Sequence, residues 1–260
     1  MELAIETTGL RREFGEVVAV EGLDLAVEPG TFYGFLGPNG AGKSTTIKML
    51  TGLLGPSTGS AQILGHDVVA DAVAAKSVMG VVPEESALFE RLTGPEYLRF
   101  VGRMYGMSRA VIDARSAELL ELMGLQDDTG KLIVDYSHGM RKKLSISAAV
   151  IHEPRVLFLD EPFEGIDAVS SRLVRSVLNQ LVATGVTIFL TSHILEIVEK
   201  LCTHVAIIHR GQLVADGTLD GLRRGEGEWE GRTEAKTLEE LFLSLVGGDR
   251  LEQGRLSWLE

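Results

Sequence analysis

Three short stretches of this chain hold residue types that handle phosphate chemistry. The first is Gly37-Pro38-Asn39-Gly40-Ala41-Gly42-Lys43-Ser44-Thr45. It fits G-x-x-x-x-G-K-[ST] at every required position, between an apolar run and a helical period. Glycines let the backbone curl so that several N–H groups aim at one anion. The Gly42–Lys43 peptides open a helix whose positive end faces the phosphates. Lys43 would reach the β- and γ-phosphates, the Ser44 hydroxyl would ligate Mg²⁺, and Thr45 would add a contact to an inner phosphate.

The second stretch is Asp160-Glu161, which ends the continuous apolar run Val156–Leu159. Such a run suits a parallel strand buried on both faces. Binding sites in such sheets lie beyond the carboxyl ends of the strands. Asp160 is therefore a candidate for Mg²⁺, directly or through water, and Glu161 for orienting and deprotonating the attacking water. One strand later, Val186–Thr191 runs into Ser192-His193. By the same rule His193 emerges at the sheet edge, where an imidazole can hydrogen-bond a γ-phosphate and hold glutamate and water in line.

The third stretch is "YSHGMRKK", Tyr136–Lys143. A serine and a glycine stand where a helix would begin, and three basic residues crowd a first turn that favours acidic ones. Two explanations fit: a capped, solvated helix start, or a helix start that receives an anion.

Interleaved strands and helices must position these groups. Apolar and β-branched runs predict strands near 3–7, 17–20, 23–27, 31–36, 60–64, 78–82, 156–159, 186–191 and 204–209. Helical periods fall at 43–54, 95–105, 108–123, 141–151, 169–184 and 194–201. The alternation predicts an α/β core with a parallel sheet, interrupted by an all-helical insert at about 88–152. Residues 1–225 form the nucleotide-binding unit. Residues 226–260 hold an acidic linker and a short amphipathic helix, "TLEELFLSLVGG".

Composition limits the alternatives. The chain has 260 residues, 45% hydrophobic and 24% charged, with a formal net charge of −12. That balance suits a globular domain and disfavours broad contact with nucleic acid, which needs clustered Lys and Arg. A single cysteine, Cys202, forms no internal disulfide and reads as a small buried apolar residue in a reducing compartment. The amino terminus reads as free of a signal peptide, and no run is long and apolar enough to span a bilayer. The expectation is a cytoplasmic protein.

In their order the motifs resemble the nucleotide-binding subunit of an ATP-binding cassette (ABC) transporter, over roughly 3–218. The segments "VVPEESALFERLTGPEYLRF", "YSHGMRKKLSI" and "LEELFLSL" are most similar to the ATPases of ABC-2 type exporters. The resemblance implies a P-loop NTPase (RecA-like) core with an antiparallel β subdomain and an inserted helical subdomain. It implies that ATP and Mg²⁺ bind between two such subunits, each offering Ser137 and Gly139 to the γ-phosphate held by the other. Arg141, Lys142 and Lys143 are read as surface residues, with attraction of nucleotide as the alternative. The resemblance further implies adenine stacking on Phe14, a contact from Glu84 to Mg²⁺ or water, and cross-subunit coupling through Asp167. It also implies a separate membrane permease, met at the helical insert and the Glu84 loop, and a peripheral place on the cytoplasmic face.

Some residues depart from the family pattern: Tyr136, His138 and Met140 within the signature, Glu84 where glutamine is usual, and "FEGID" after Pro162. Two other classes compete: a soluble ABC ATPase acting on nucleic acid or ribosomes, and a P-loop kinase. The first predicts basic arms or tandem cassettes. The second predicts an acceptor pocket and leaves "YSHG" and His193 unused.

Overall fold

The structure is a computed structural model that describes residues 2–85, 87–226 and 237–247. Two sheets organise it. The first is antiparallel: β1 (Ile5–Phe14), β2 (Val17–Val27), β4 (Thr58–Ile63) and the short β5 (His66–Asp67), in the order β2-β1-β4-β5. The second contains β3 (Phe32–Leu36), β6 (Met79–Val82), β7 (Val156–Asp160), β8 (Thr187–Thr191), β9 (His204–His209) and β10 (Gln212–Thr218). Its order is β10-β9-β3-β8-β7-β6; all neighbours are parallel except β10, which runs antiparallel to β9. This is the mixed α/β arrangement of a P-loop NTPase.

Strand periodicity divides the second sheet between two cores. Successive side chains on a strand point to opposite faces. Leu157, Leu159, Ile188, Leu190, Val205 and Ile207 therefore join one core, which also takes side chains from α3 (Gly94–Met104), α4 (Arg109–Leu122) and α5 (His138–Val150). The same core receives α6 (Ala168–Ala183), α7 (Leu195–Leu201), α8 (Leu219–Arg223) and α9 (Leu238–Val246). Val156, Phe158, Phe189, Ala206 and Ile208 face the other core, with α1 (Lys43–Leu50), α2 (Ala72–Ser77) and the antiparallel sheet. On that side Phe189 touches the rings of Tyr33, Phe35 and Phe158.

Several elements differ from the expectation for local reasons. β1 continues to Phe14 and β2 is one strand, because register shifts in their ladder absorb the polar residues that look like breaks. β10 is hidden in sequence by Asp216, a carboxylate in the strand that accepts a hydrogen bond from the buried Tyr33 hydroxyl at 2.7 Å. Burial holds the Asp216 carboxyl above its ordinary pKa, opposed by that bond. α1 stops at Leu50, four residues early, with Gly52 in the left-handed region just beyond. β5, α2 and α8 are too short for a periodic signal.

The helical stretch 88–152 contains α3, α4, α5 and two single turns of 3₁₀ helix. α3 opens with a reciprocal box: the Thr93 hydroxyl accepts from the Glu96 N–H, while the Glu96 carboxylate accepts from the Thr93 N–H. α5 also packs on β6, so closely that a Cβ on Gly80 would collide with the Ala149 carbonyl. Near the carboxyl end, α9 packs on its own chain, with Leu238 and Leu241 buried. The Glu199 Oε1 on α7 accepts from both the Arg223 guanidinium and the Leu238 N–H, each at 2.6 Å. The acidic linker expected before α9 falls almost wholly on 227–236, outside the described residues. Cys202 is buried, and burial pushes its thiol far up, so it is an inert apolar filler as expected.

Candidate functional site

At the carboxyl edge of the parallel sheet lies a polar cleft of about 320 Å³. Asn39, Gly40 and the Gly42–Thr45 run line it, joined by Ala19 from β2, Glu84 after β6 and Glu161 after β7. The loop's curl is forced by two close approaches. Gly37 meets the Ile208 carbonyl where a Cβ would stand, and Gly42, at φ 112°, would place a Cβ 2.5 Å from the Ala19 carbonyl. The loop is also seated from below: Gly211 N–H donates to the Ala41 carbonyl at 3.0 Å, and Ala41 N–H to the Pro38 carbonyl at 3.1 Å. Lys43 is buried with its ammonium donating to the carbonyls of Gly37 at 2.8 Å and Pro38 at 3.3 Å.

Glu161 and His193 meet as a pair. The Glu161 Oε2 lies 3.0 Å from His193 Nδ1 and accepts the His193 backbone N–H at 3.3 Å. Among the described residues its Oε1 accepts no hydrogen bond. The Glu161 backbone sits at φ 47°, uncommon for a residue with a side chain. Its surroundings over-determine that conformation. The N–H reaches the Thr191 carbonyl at 3.3 Å and hydroxyl at 3.2 Å, and the carbonyl accepts from Glu164 N–H at 3.3 Å and the Lys142 ammonium at 3.4 Å.

Asp160 lies behind this pair, buried, with Oδ1 accepting from the Thr191 hydroxyl at 2.6 Å. Thr191 thus fixes both carboxylate residues. Its signal in sequence was its place at the end of a buried strand, two residues before His193. Thr191→Val would strand the buried Asp160 oxygen. Such a loss costs about 1–3 kcal/mol, read as a lower denaturant midpoint at an unchanged slope; an unchanged midpoint would refute the argument.

The oxygen donors Ser44, Asp160 and Glu84 suit a hard divalent cation. Among the described residues no cluster of three or more His, Cys, Asp or Glu forms a protein cage. Of such cations, Mg²⁺ takes one or two carboxylates and completes its shell with phosphate oxygens and water.

Gly37, Pro38, Ala41, Asp160 and His193 adjoin the lining residues without lining the cleft themselves, and Phe14, Ser137, Gly139 and Asp167 lie on other elements. Phe14 ends β1, half exposed, with the Arg12 guanidinium 4.7 Å from its ring centre. Ser137 caps α5, its hydroxyl accepting the Met140 N–H at 3.2 Å, so the helix starts at His138 and not at Arg141. Gly139 has room for a Cβ, at 3.8 Å from Ile166 and 3.9 Å from Ser170, and an ordinary φ. Asp167 caps α6: Oδ1 accepts the N–H of Val169 and Ser170, and Oδ2 the Ser170 hydroxyl at 2.7 Å. The Ser170 bonds lead in holding the Asp167 carboxyl below its usual range.

One expectation is overturned. Lys142 is not a surface residue: it is 1% exposed. Desolvation lowers its ammonium's pKa, and the carboxylates of Glu164, Asp160, Glu84 and Glu161 oppose that, in this order. No sequence signal distinguishes it from its neighbours. Arg141, partly buried, reaches the carbonyls of Val134 and Tyr136 and the Glu90 carboxylate.

A family model described as ABC transporter matches residues 20–164. The daunorubicin/doxorubicin resistance ATP-binding protein DrrA of Streptomyces peucetius is 42% identical over 224 residues, 86% of this chain and 68% of that one. The linearmycin resistance ATP-binding protein LnrL of Bacillus subtilis is 38% identical over 214 residues, 82% and 69% of the two chains. The Nod factor export ATP-binding protein I of Cupriavidus metallidurans is 38% identical over 217 residues, 84% and 72%. A solved ATP binding subunit of an ABC transporter superposes with a TM-score of 0.86 at 32% identity, over 93% of this chain and 99% of that one. Among the described residues no helix is long and apolar enough to cross a membrane. The chain belongs to the ABC transporter family, as an ATP-binding and ATP-hydrolysing subunit.

Proposed function

We propose that this subunit drives export through a separate membrane permease by closing, with a second copy or a paired subunit, around two ATP molecules. The observation that carries this reading is the Glu161–His193 pair on the same edge as the phosphate-binding loop. With Oε2 occupied by two His193 donors, Oε1 is the oxygen that takes the proton of the attacking water. Lys43 leaves the loop carbonyls for the β- and γ-phosphates, Thr45 meets an inner phosphate, and His193 Nε2 faces the γ-phosphate. Ser44, Asp160 and Glu84 would hold Mg²⁺, which would offset the charge of the phosphates when bound.

Ser137 and Gly139 complete the site of the opposite subunit. Among the described residues nothing requires glycine at 139, since a Cβ fits there. A phosphate pressed against the start of α5 supplies the missing reason. Ser137 keeps its proton for that phosphate while its oxygen caps the helix. Asp167 couples the two subunits from the start of α6, and Phe14, braced by Arg12, stacks on adenine.

The permease docks on an apolar groove of about 270 Å³ between the helical stretch and the sheet. Val81, Pro83, Leu88, Tyr97 and Val101 line it, and Phe89, Phe100 and Met104 are exposed. Export follows the relatives, which include a Nod factor export protein. With that partner the subunit lies on the cytoplasmic face of the membrane.

Light scattering of Glu161→Gln tests the closure. With ATP and Mg²⁺ the mass should shift from monomer to dimer, and Ser137→Arg or Gly139→Asp should abolish the shift. A monomer throughout, with phosphate released by the wild-type monomer, would overturn the composite site.

A further inference from the structure

A buried ammonium is costly unless its protons find acceptors. Lys142 has three, and three carbonyls meet them: Glu84 at 2.8 Å, Glu161 at 3.4 Å and Pro83 at 3.5 Å. These carbonyls belong to segments that leave the ends of β6 and β7. The Pro83-Glu84 pair has a second property, because Pro83 borders the apolar groove while Glu84 borders the phosphate cleft. The third carbonyl is that of Glu161, the residue in the left-handed conformation. One side chain thus joins, through main-chain atoms alone, the wall between two cavities and the strained peptide that aims the carboxylate.

We propose that Lys142 is a positioning residue for ATP hydrolysis, tying the Pro83–Glu84 main chain to that of Glu161 so that movement of the groove wall re-aims the water-activating carboxylate. This rests on the reading of Glu161 as the base. Lys142 sits on the second turn of α5, so the same helix that starts at Ser137 also carries the tie. Glu84 brings a negative charge where the family usually has a neutral amide, and Lys142 supplies a positive charge beneath it. Removing Lys142 leaves the 37–45 loop untouched, since its three acceptors are the carbonyls of Pro83, Glu84 and Glu161.

Lys142→Met tests this with little change of volume. Misaimed catalytic groups cost up to about a hundredfold in rate, so kcat should fall by roughly tenfold to a hundredfold. KM for MgATP should change far less than kcat, because the 37–45 loop keeps its grip and Glu84 alone among the Mg²⁺-holding residues is loosened. Lys142→Arg keeps donors at the same place and should recover most of the rate. Hydrogen exchange supplies a readout independent of turnover. Peptides covering 83–85 and 160–164 should exchange faster in Lys142→Met, and a peptide covering 37–45 should not. Wild-type kcat in Lys142→Met, or a joint change of kcat and KM that Arg fails to recover, would overturn the proposal. Should Glu161→Gln hydrolyse ATP like the wild type, the base assignment fails instead. The exchange comparison then still decides the tie, and unchanged exchange at 83–85 and 160–164 sinks it.

Discussion

Glu161→Gln is expected to abolish most ATP hydrolysis while sparing ATP binding. Glutamine has the same shape, and its amide oxygen can accept the two His193 donors that now hold Oε2. What it lacks is the ability to take a proton at the other position. General-base contributions of this kind run to about 10²–10⁴-fold, and kcat should fall by that order. The 37–45 loop is untouched and the amide oxygen still holds His193, so nucleotide affinity should stay within about threefold. Steady-state phosphate release and equilibrium titration with a fluorescent ATP analogue measure the two quantities separately. Unimpaired hydrolysis would remove Glu161 from the role, and lost binding would show that the substitution disturbed the loop.

The opposite pattern is expected for Gly42→Ala: binding itself should fail. The position has φ 112°, beyond even the left-handed well that ordinary residues visit. Its new Cβ would stand 2.5 Å from the Ala19 carbonyl, 3.2 Å from Val20 and 3.3 Å from Ile208. The carbonyl belongs to β2 and cannot swing away as a side chain would. Strained backbone of this kind costs about 1–3 kcal/mol, and the loop escapes the clash only by turning its N–H groups off target. A loss of roughly 3 kcal/mol is more than a hundredfold in affinity. Gly40→Ala is the matched comparison, since φ is 78° there but no atom lies within 4 Å of the added carbon. It should weaken binding far less. Equal losses at both positions would show that conformation alone, and not the Ala19 contact, sets the requirement.

The carboxyl edge of the parallel sheet was legible in the sequence because buried parallel strands are written as unbroken apolar runs. The residues that follow them, Asp160-Glu161 and His193, inherit their position from topology. The phosphate loop was legible for a similar reason, since glycine spacing records close approaches of backbone. What stayed hidden depends on partners distant in the chain. Lys142 looks like its neighbours Arg141 and Lys143 until Pro83, Glu84 and Glu161 are folded around it. Asp216 disguised β10 until Tyr33 arrived to bond it. Asp167 was legible as a motif residue, but its cap on α6 was not, because the same aspartate serves either purpose in a string of letters. Phe14 was singled out by likeness alone; its contact with Arg12 required the register of β1.

The alternation along the parallel strands has a consequence for how such a chain can change. Leu157 and Phe158 are covalent neighbours, yet they answer to different company: one to the helices that carry the groove and α5, the other to α1 and the antiparallel sheet. A volume change at one is absorbed among side chains that the other never meets, with the strand backbone as a firewall. Inheritance can therefore rework the side chains packed around Leu157, residue by residue, without repacking those around Phe158.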